Sequence, residues 1–299
     1  MKRQMKNIFL LFSLLILCFS CKKKEKVQIL QFEYLKNQVV LSVYIGEKGP
    51  FNMLLDTGVD PSAVDFETAK ELRLPIDKSK SGNAEGRGND KVVAFPTSIE
   101  NLKLSEKNYG TIEALTLDLE KLGKPLGIKL HGILGYSFLK DKIIRIDYQK
   151  QNLQILNSSS DLNKIVSHNA YISEYITDGE DMIPILTGFE MNGKKFKASL
   201  DTGSSLNVQV YMHYHENFKI VLDTLESSQI IGAQGKKKIY KSLVNTFSIG
   251  DYEFKNDTIR ISTIKNEDQL RMGNIGNKFL DNFIVTFDYI NKNIILERN

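Results

Sequence analysis

The chain has 299 residues, 41% hydrophobic and 25% charged, the balance of an ordinary globular protein long enough for one large domain or two smaller ones. Its 40 basic and 36 acidic residues give a net charge of +4, and leaving out Lys2, Arg3 and Lys6 in the first 20 residues reduces this to 37 against 36, or +1. That near-neutral balance argues against nucleic acid as a partner.

The first element in chain order is a leader. Lys2, Arg3 and Lys6 precede an apolar run from Ile8 to Phe19, which is short for a bilayer span and reads as a secretory signal over residues 1–20. It ends in Cys18-Phe19-Ser20-Cys21, followed by Lys22-Lys23-Lys24-Glu25-Lys26. This resembles a bacterial lipoprotein signal, with Cys21 as the lipidated residue and Cys18 where such signals usually carry Leu. The resemblance implies a lipid-anchored protein of the bacterial cell envelope, facing the periplasm or the outside, with residues 21–31 as a tether. Both cysteines fall in this region, so the mature domain has no disulfide and depends on its core.

The rest reads mostly as strand. Val39–Ile45 alternates, Gly46-Glu47-Lys48-Gly49-Pro50 turns, and an apolar run Phe51–Leu55 stops at Asp56-Thr57-Gly58. Such an acid closes a turn or carries tuned chemistry, and one copy does not decide between them. A short helix is expected at Phe66–Leu72, and a loop with Gly and Pro at Glu120–Gly127. Strands are expected at Ile143–Asp147 and Leu153–Leu156, then a polar, Ser-rich linker at 158–164. Beyond it, Met182–Met191 and Phe196–Leu200 flank Asn192-Gly193, a strong hairpin signal. Tyr211–Phe218 reads as a short helix, and Phe283–Asp288 and Ile294–Glu297 as the last strands.

The chain repeats itself. Phe51 and Asp56 recur 145 residues on as Phe196 and Asp201, the latter again followed by Thr202-Gly203. At an offset of 141, Gly135, Phe138, Leu139, Asp147 and Tyr148 fall on Gly276, Phe279, Leu280, Asp288 and Tyr289. The four-residue difference fits an insertion near Glu120–Gly127 in the first unit. Two β-lobes, residues 32–157 and 165–299, joined by one linker, are the expected architecture.

Two Asp-Thr-Gly loops at equivalent places in a duplicated β-protein resemble the aspartic proteases, the pepsin and retropepsin clan, over nearly all the chain from about Phe32. In that family each Asp-Thr-Gly loop is threaded by two apolar residues and a Gly. Ile133-Leu134-Gly135 matches, and Asn274-Ile275-Gly276 departs at Asn274. The resemblance implies an all-β fold of two β-barrel lobes around a cleft that takes a peptide or protein substrate. It implies Asp56 and Asp201 as the catalytic pair of an endopeptidase, with no cofactor and no metal, and one chain sufficing as a monomer. Two carboxyls a few ångströms apart share a proton, so one can take a proton from water while the other polarises the scissile carbonyl. Thr57 and Thr202 are expected to bond across the lobes, Gly58 and Gly203 to let the loops approach, and Ser204 to support the second acid. Glycine-rich hairpins containing Glu85 and Gly86, and Gly232 and Ala233, are the candidate flaps.

Some features pull the other way. Val59 offers no hydroxyl where Ser204 does, Asn274 breaks the apolar motif, and neither flap carries a Tyr. These departures leave open a member of the same fold that binds peptide without cutting it. His213-Tyr214-His215 is a weak metal motif with only four His in the chain, and Gly86-Arg87-Gly88 lacks the context of a phosphate loop. Lys236-Lys237-Lys238 reads as a solvated hairpin tip.

Overall fold

The computed structural model describes residues 27–80, 82–84, 92–179, 181–222, 227–232, 235–263 and 270–299. The leader, Cys21, Glu85, Gly86 and Ala233 lie outside the described residues. In chain order the first unit holds β1 (Gln28–Gln31), β2 (Glu33–Leu35), β3 (Gln38–Ile45), β4 (Lys48–Leu55) and β5 (Ser62–Asp65). Helix α1 (Phe66–Leu72) follows, then β6 (Gly82–Ala84), β7 (Val92–Ile99), β8 (Leu102–Leu104), β9 (Lys107–Asn108) and β10 (Ile112–Leu117). The unit ends with α2 (Glu120–Leu126), β11 (Gly132–Leu134), α3 (Tyr136–Leu139), β12 (Ile143–Asp147) and β13 (Asn152–Leu156). After α4 (Ser159–Leu162), the second unit runs through β14 (Tyr171–Glu174), β15 (Ile185–Met191), β16 (Lys194–Asp201) and β17 (Val208–Tyr211). It closes with β18 (Ser227–Gly232), β19 (Gly235–Ile249), β20 (Tyr252–Ser262), β21 (Gly273–Gly276), α5 (Asn277–Leu280), β22 (Phe283–Asp288) and β23 (Asn293–Arg298).

Local chemistry explains these boundaries. In β3 the alternation sends Val39, Leu41, Val43 and Ile45 inward, as a half-buried strand requires. Asn192 and Gly193 both take positive φ, 49° and 75°, which is the backbone that a two-residue hairpin needs. The same device at Lys36 and Asn37, φ 51° and 61°, turns β2 into β3. Asp65 caps α1 by accepting from Thr68 N, and Arg73 closes the helix in a left-handed conformation.

Two sheets, ten-stranded and seven-stranded, form the lobes, and both contain the same motif. The third strand of that motif runs parallel to the one ending at the Asp. Met53 pairs with Gly132 in the first lobe and Ala198 with Gly273 in the second, reproducing the offsets of 145 and 141 in the register itself. All-β lobes are what the sequence implied.

Four details differ from the expectation. The loop at Glu120–Gly127 is helix α2, because Leu119, Leu122 and Leu126 bury an apolar face that outweighs Pro125, and Gly127 ends it at φ 75°. The tether stops short of Gln31, since Gln28–Gln31 pairs with β13 and Leu30 is buried. Within the linker, α4 is capped by Ser158 and buries Leu162. At Tyr211–Phe218, Tyr211 closes β17 and two 3-10 turns, Met212–Tyr214 and Glu216–Phe218, replace one helix.

The larger difference is a third sheet, six-stranded, in the order β1-β13-β12-β22-β23-β14, to which both units contribute three strands. The units are therefore joined by a shared sheet as well as by a linker. At its centre β12 meets β22 antiparallel, with Ile143 opposite Asp288 and Asp147 opposite Ile284. Those pairs exchange under the 141 offset, so the pseudo-twofold axis of the duplication passes through Arg145 and Thr286. The two residues on the axis are not alike. Arg145 donates to Thr286 Oγ1 at 3.3 Å and forms a buried ion pair with Glu297 of β23, which also accepts from Ser167 N at 2.8 Å.

Removing one partner of a buried ion pair strands the other charge. Glu297→Ala is expected to cost about 3–5 kcal/mol in urea unfolding, and Arg145→Met with Glu297→Leu to recover most of the loss. A cost for Glu297→Ala no larger than that of a surface pair, about 1 kcal/mol or less, would show that this pair does not join the units.

Candidate active site

Both acids stand where an apolar strand runs out. Asp56 follows β4 directly, and its N–H continues the parallel pairing by donating to Leu134 O at 3.0 Å. Asp201 is the last residue of β16, opposite Gly276 of β21. Asp201 is buried, 5% exposed, and Asp56 half-buried.

The two threonines lock the loops together. Thr57 N donates to Thr202 Oγ1 at 3.0 Å, and Thr202 N donates to Thr57 Oγ1 at 3.1 Å. Each hydroxyl then donates across the interface to the carbonyl one residue before the opposite Asp: Thr57 Oγ1 to Leu200 O and Thr202 Oγ1 to Leu55 O, both at 2.8 Å. Every one of these bonds respects the offset of 145. The glycines explain how close the chains come. A Cβ on Gly203 would stand 2.0 Å from Asp56 Oδ2, and one on Gly58 would stand 2.7 Å from the Asp201 carboxyl carbon. Each carboxyl thus rests against the opposite loop's glycine.

Around this pair the lobes diverge. Asp56 Oδ1 accepts from Gly58 N at 2.7 Å within its own loop. Asp201 Oδ2 accepts from Asn274 Nδ2 at 3.0 Å, and Asn274 Oδ1 in turn accepts from Ser199 Oγ at 2.7 Å. Ser204 is buried, and its N–H donates to Asp201 O at 3.1 Å. The second loop is also held from the first lobe. Gln38 Nε2 donates to Gly203 O at 2.7 Å and Asn37 Nδ2 to Ser205 O at 3.2 Å. Asn277 Nδ2 bonds Thr202 O and Asn37 O, while its Oδ1 accepts from Tyr148 OH at 2.8 Å.

The repeat mates of Asn277 and Tyr148 are Tyr136 and Tyr289, whose rings meet at 5.9 Å. The Tyr289 hydroxyl is buried with no hydrogen-bond partner among the described residues. Burial first, then Tyr175 and Asp56, push its pKa well above the usual phenol range and keep it protonated. Asp60, in the first loop, is pushed up by burial while the Met182 N–H that it accepts pulls it down. The polar supports Asn37, Gln38, Ser199 and Asn277 were not singled out from the sequence. Their signal was a change of polarity between the two copies, as at Tyr136 and Asn277.

Of the flap candidates, Gly232 is described: it ends β18 and pairs with Gly235 across a hairpin. The residues flanking the first flap candidate form β6 and β7, paired from Gly82 opposite Ala94 to Ala84 opposite Val92. Lys238, near the tip of the second hairpin, is exposed. The His213 ring packs on Tyr214, and His215 Nδ1 lies 2.6 Å from Met212 O. Among the described residues no three His, Cys, Asp or Glu side chains gather as metal ligands.

Thr202→Val keeps the shape of the side chain and deletes its oxygen, leaving Leu55 O and Thr57 N buried without that partner. Each stranded group costs about 1–3 kcal/mol, so the variant is expected to unfold at markedly lower urea and Thr202→Ser to stay near the parent. Equal stability of Thr202→Val and the parent in urea titration would show that the threonine pair does not hold the loops.

Residues 41–138 match a family model described as aspartyl protease, a span that holds the first Asp-Thr-Gly loop and ends inside α3. No match to the chain was found among curated proteins. The second loop lies beyond the matched span and is tied to the first by the repeated register and the threonine bonds. The family match over residues 41–138, together with the all-β lobes and the paired loops, supports an aspartic protease clan member.

Proposed function

We propose that the protein is an aspartic endopeptidase that hydrolyses peptide bonds with water activated between Asp56 and Asp201. The observation that carries this reading is the reciprocal Thr57–Thr202 lock, which sets one acid from each lobe against the other loop's glycine. Two carboxyls so placed cannot both ionise cheaply and hold one proton between them. The ionised one takes a proton from water as the water oxygen adds to the scissile carbonyl carbon. The protonated one gives its proton to the carbonyl oxygen. Collapse of the resulting diol returns a proton to the amide nitrogen as the C–N bond breaks, yielding a carboxylic acid and an amine. An extended peptide between the β6–β7 and β18–β19 hairpins suits the cleft of such a fold.

The peptide-binding alternative loses one of its supports. Asn274, a departure from the apolar motif, hydrogen-bonds Asp201 in place of merely eroding the site. Cleavage of an unbiased peptide library by the full chain tests the reading. Asp56→Asn and Asp201→Asn are each expected to lower cleavage by about three orders of magnitude or more, with the double variant little worse, because groups that act as a unit fail together. Activity is expected to fall as pH rises through the upper apparent pKa of the pair, when both acids become charged. Binding of library peptides without cleavage at any pH would favour the alternative.

We also propose that Cys21 carries a lipid that anchors the protein in the bacterial envelope, on the strength of the basic start, short apolar run and Ser20-Cys21. No described helix is long and apolar enough to cross a membrane. Cys21→Ala is expected to move the protein out of the membrane fraction, and unchanged membrane fractionation of that variant would overturn the anchor.

A further inference from the structure

The two acids stand on different footings. Side chains two apart on a strand share a face, so Leu54 lies beside Asp56 and Ser199 beside Asp201. Across the parallel pairing, Leu54 is opposite Ile133, and Ser199 is opposite Asn274. One strand further, Ile133 is opposite Ala63, whereas Asn274 is opposite Gln209. The first lobe therefore seats its acid on the buried row Leu54-Ile133-Ala63, part of an apolar cluster covered by α2. The second lobe seats its acid on Ser199-Asn274-Gln209, all three 0% exposed. Of these three exchanges to polar residues, the mutually paired Ser199 and Asn274 form a hydrogen-bonded chain that ends on a carboxylate, which is a built arrangement, while the Gln209 side chain is buried with no hydrogen-bond partner among the described residues. A single eroded motif position would not supply Ser199 as well.

The physical consequence is directional. Asp201 is the more deeply buried acid, and burial alone favours its neutral form. An amide N–H on the carboxylate favours the charged form instead. The Asn274 amide serves this way with its NH2 turned to Asp201, and in that orientation its Oδ1 accepts from the Ser199 hydroxyl. Asp56 also has a donor, Gly58 N–H, but from its own loop and above aliphatic neighbours. We propose that Asn274, oriented by Ser199, is a positioning residue that keeps Asp201 ionised and leaves the shared proton on Asp56. In the hydrolysis proposed above, on which this assignment rests for its catalytic meaning, Asp201 takes the proton of the water and Asp56 protonates the carbonyl oxygen.

The groups that surround the pair are consistent with this order. Facing Asp201 are Asp56 from the β4 loop and the uncharged Asn274 from β21, with the uncharged Ser199 on its own strand. Tyr289, which follows β22 and feels the charge of Asp56, is kept neutral by burial and has Tyr175 and Tyr136 beside it. The Arg271–Asp178 ion pair, at 3.5 Å, sits before the far end of β21 from Gly276, the residue opposite Asp201.

The test is a carbon-13 NMR titration of aspartate carboxyls in the full chain, a readout that needs no substrate. In Asp56→Asn, Asp201 titrates without its partner. Adding Asn274→Leu there is expected to raise its midpoint by about one pH unit, a roughly tenfold change in its acid constant. In Asp201→Asn, Asp56 is the acid observed, and Asn274→Leu is expected to leave it in place, which a general loosening of the site would not do. Ser199→Ala is expected to raise the Asp201 midpoint by less, and Ser199→Thr to restore it. That pair of variants carries the test if Asn274→Leu does not fold. An Asp201 midpoint that stays put in every folded variant, or an Asp56 midpoint that moves as far, overturns the proposal. Where peptide is cleaved, Asn274→Leu is expected to raise the acidic limb of the pH profile and leave the alkaline limb, since Asp201 is charged on both sides of the second ionisation. NMR shifts as expected with no cleavage by the parent would uphold the positioning role and sink the peptidase reading instead.

Discussion

The fold turns on four hydrogen bonds between two threonines and the backbone of the opposite loop. They join two chain segments 145 residues apart, and they are made by short side chains whose hydroxyls donate and accept at once. The N–H groups of Thr57 and Thr202, and the carbonyls of Leu55 and Leu200, are thereby satisfied in a place that water does not reach. The glycines next to them admit no side chain, because a Cβ at either would collide with the opposing carboxyl. Strand ends, threonines and glycines together bring each carboxyl against the opposite loop. Packing of the lobes and the shared sheet supplies the free energy that holds them there.

The shared sheet is the other point of contact with the axis of the duplication. At the threonines the symmetry is kept, since each bond has its mate. At Arg145 and Thr286 it is broken, because two side chains on a twofold axis compete for one space. A long charged group from one copy and a short hydroxyl from the other fit where two arginines would repel. Glu297 then neutralises the charge from the second unit, making the lobe interface depend on both copies.

Much of this was legible in the sequence because duplication doubles every signal. Strands at Ile143–Asp147 and Phe283–Asp288, the helix at Phe66–Leu72 and the Asn192-Gly193 turn all rest on local chemistry, and they stand where periodicity and turn residues put them. The helix at Glu120–Leu126 was hidden by Gly123 and Pro125, whose local preference lost to the burial of Leu119, Leu122 and Leu126 against the first lobe. The shared sheet was not legible at all, since the order of strands from two units in one sheet is a tertiary fact without a local signature. Asn274 was visible as a misfit. Its partner Ser199 was not, because a serine in a strand means little until the register sets it opposite Asn274.

A pair of acids that share one proton needs sameness of place and difference of affinity. If both lobes were identical, each acid would hold the proton half the time, and the direction of proton flow would be left to the substrate. Two identical subunits cannot escape this, because any substitution appears on both sides. A fused duplication can, provided that the substitutions lie close enough to one acid to bias it and far enough from the interface to spare the lock. Positions 199 and 274 meet both conditions. They reach Asp201 through a hydrogen bond from within their own sheet, and they touch none of the four threonine bonds. The apolar pair Leu54 and Ile133 at the same places in the first lobe is then the other half of the same device: one acid over a hydrocarbon surface that favours the proton, one over an amide that favours the charge.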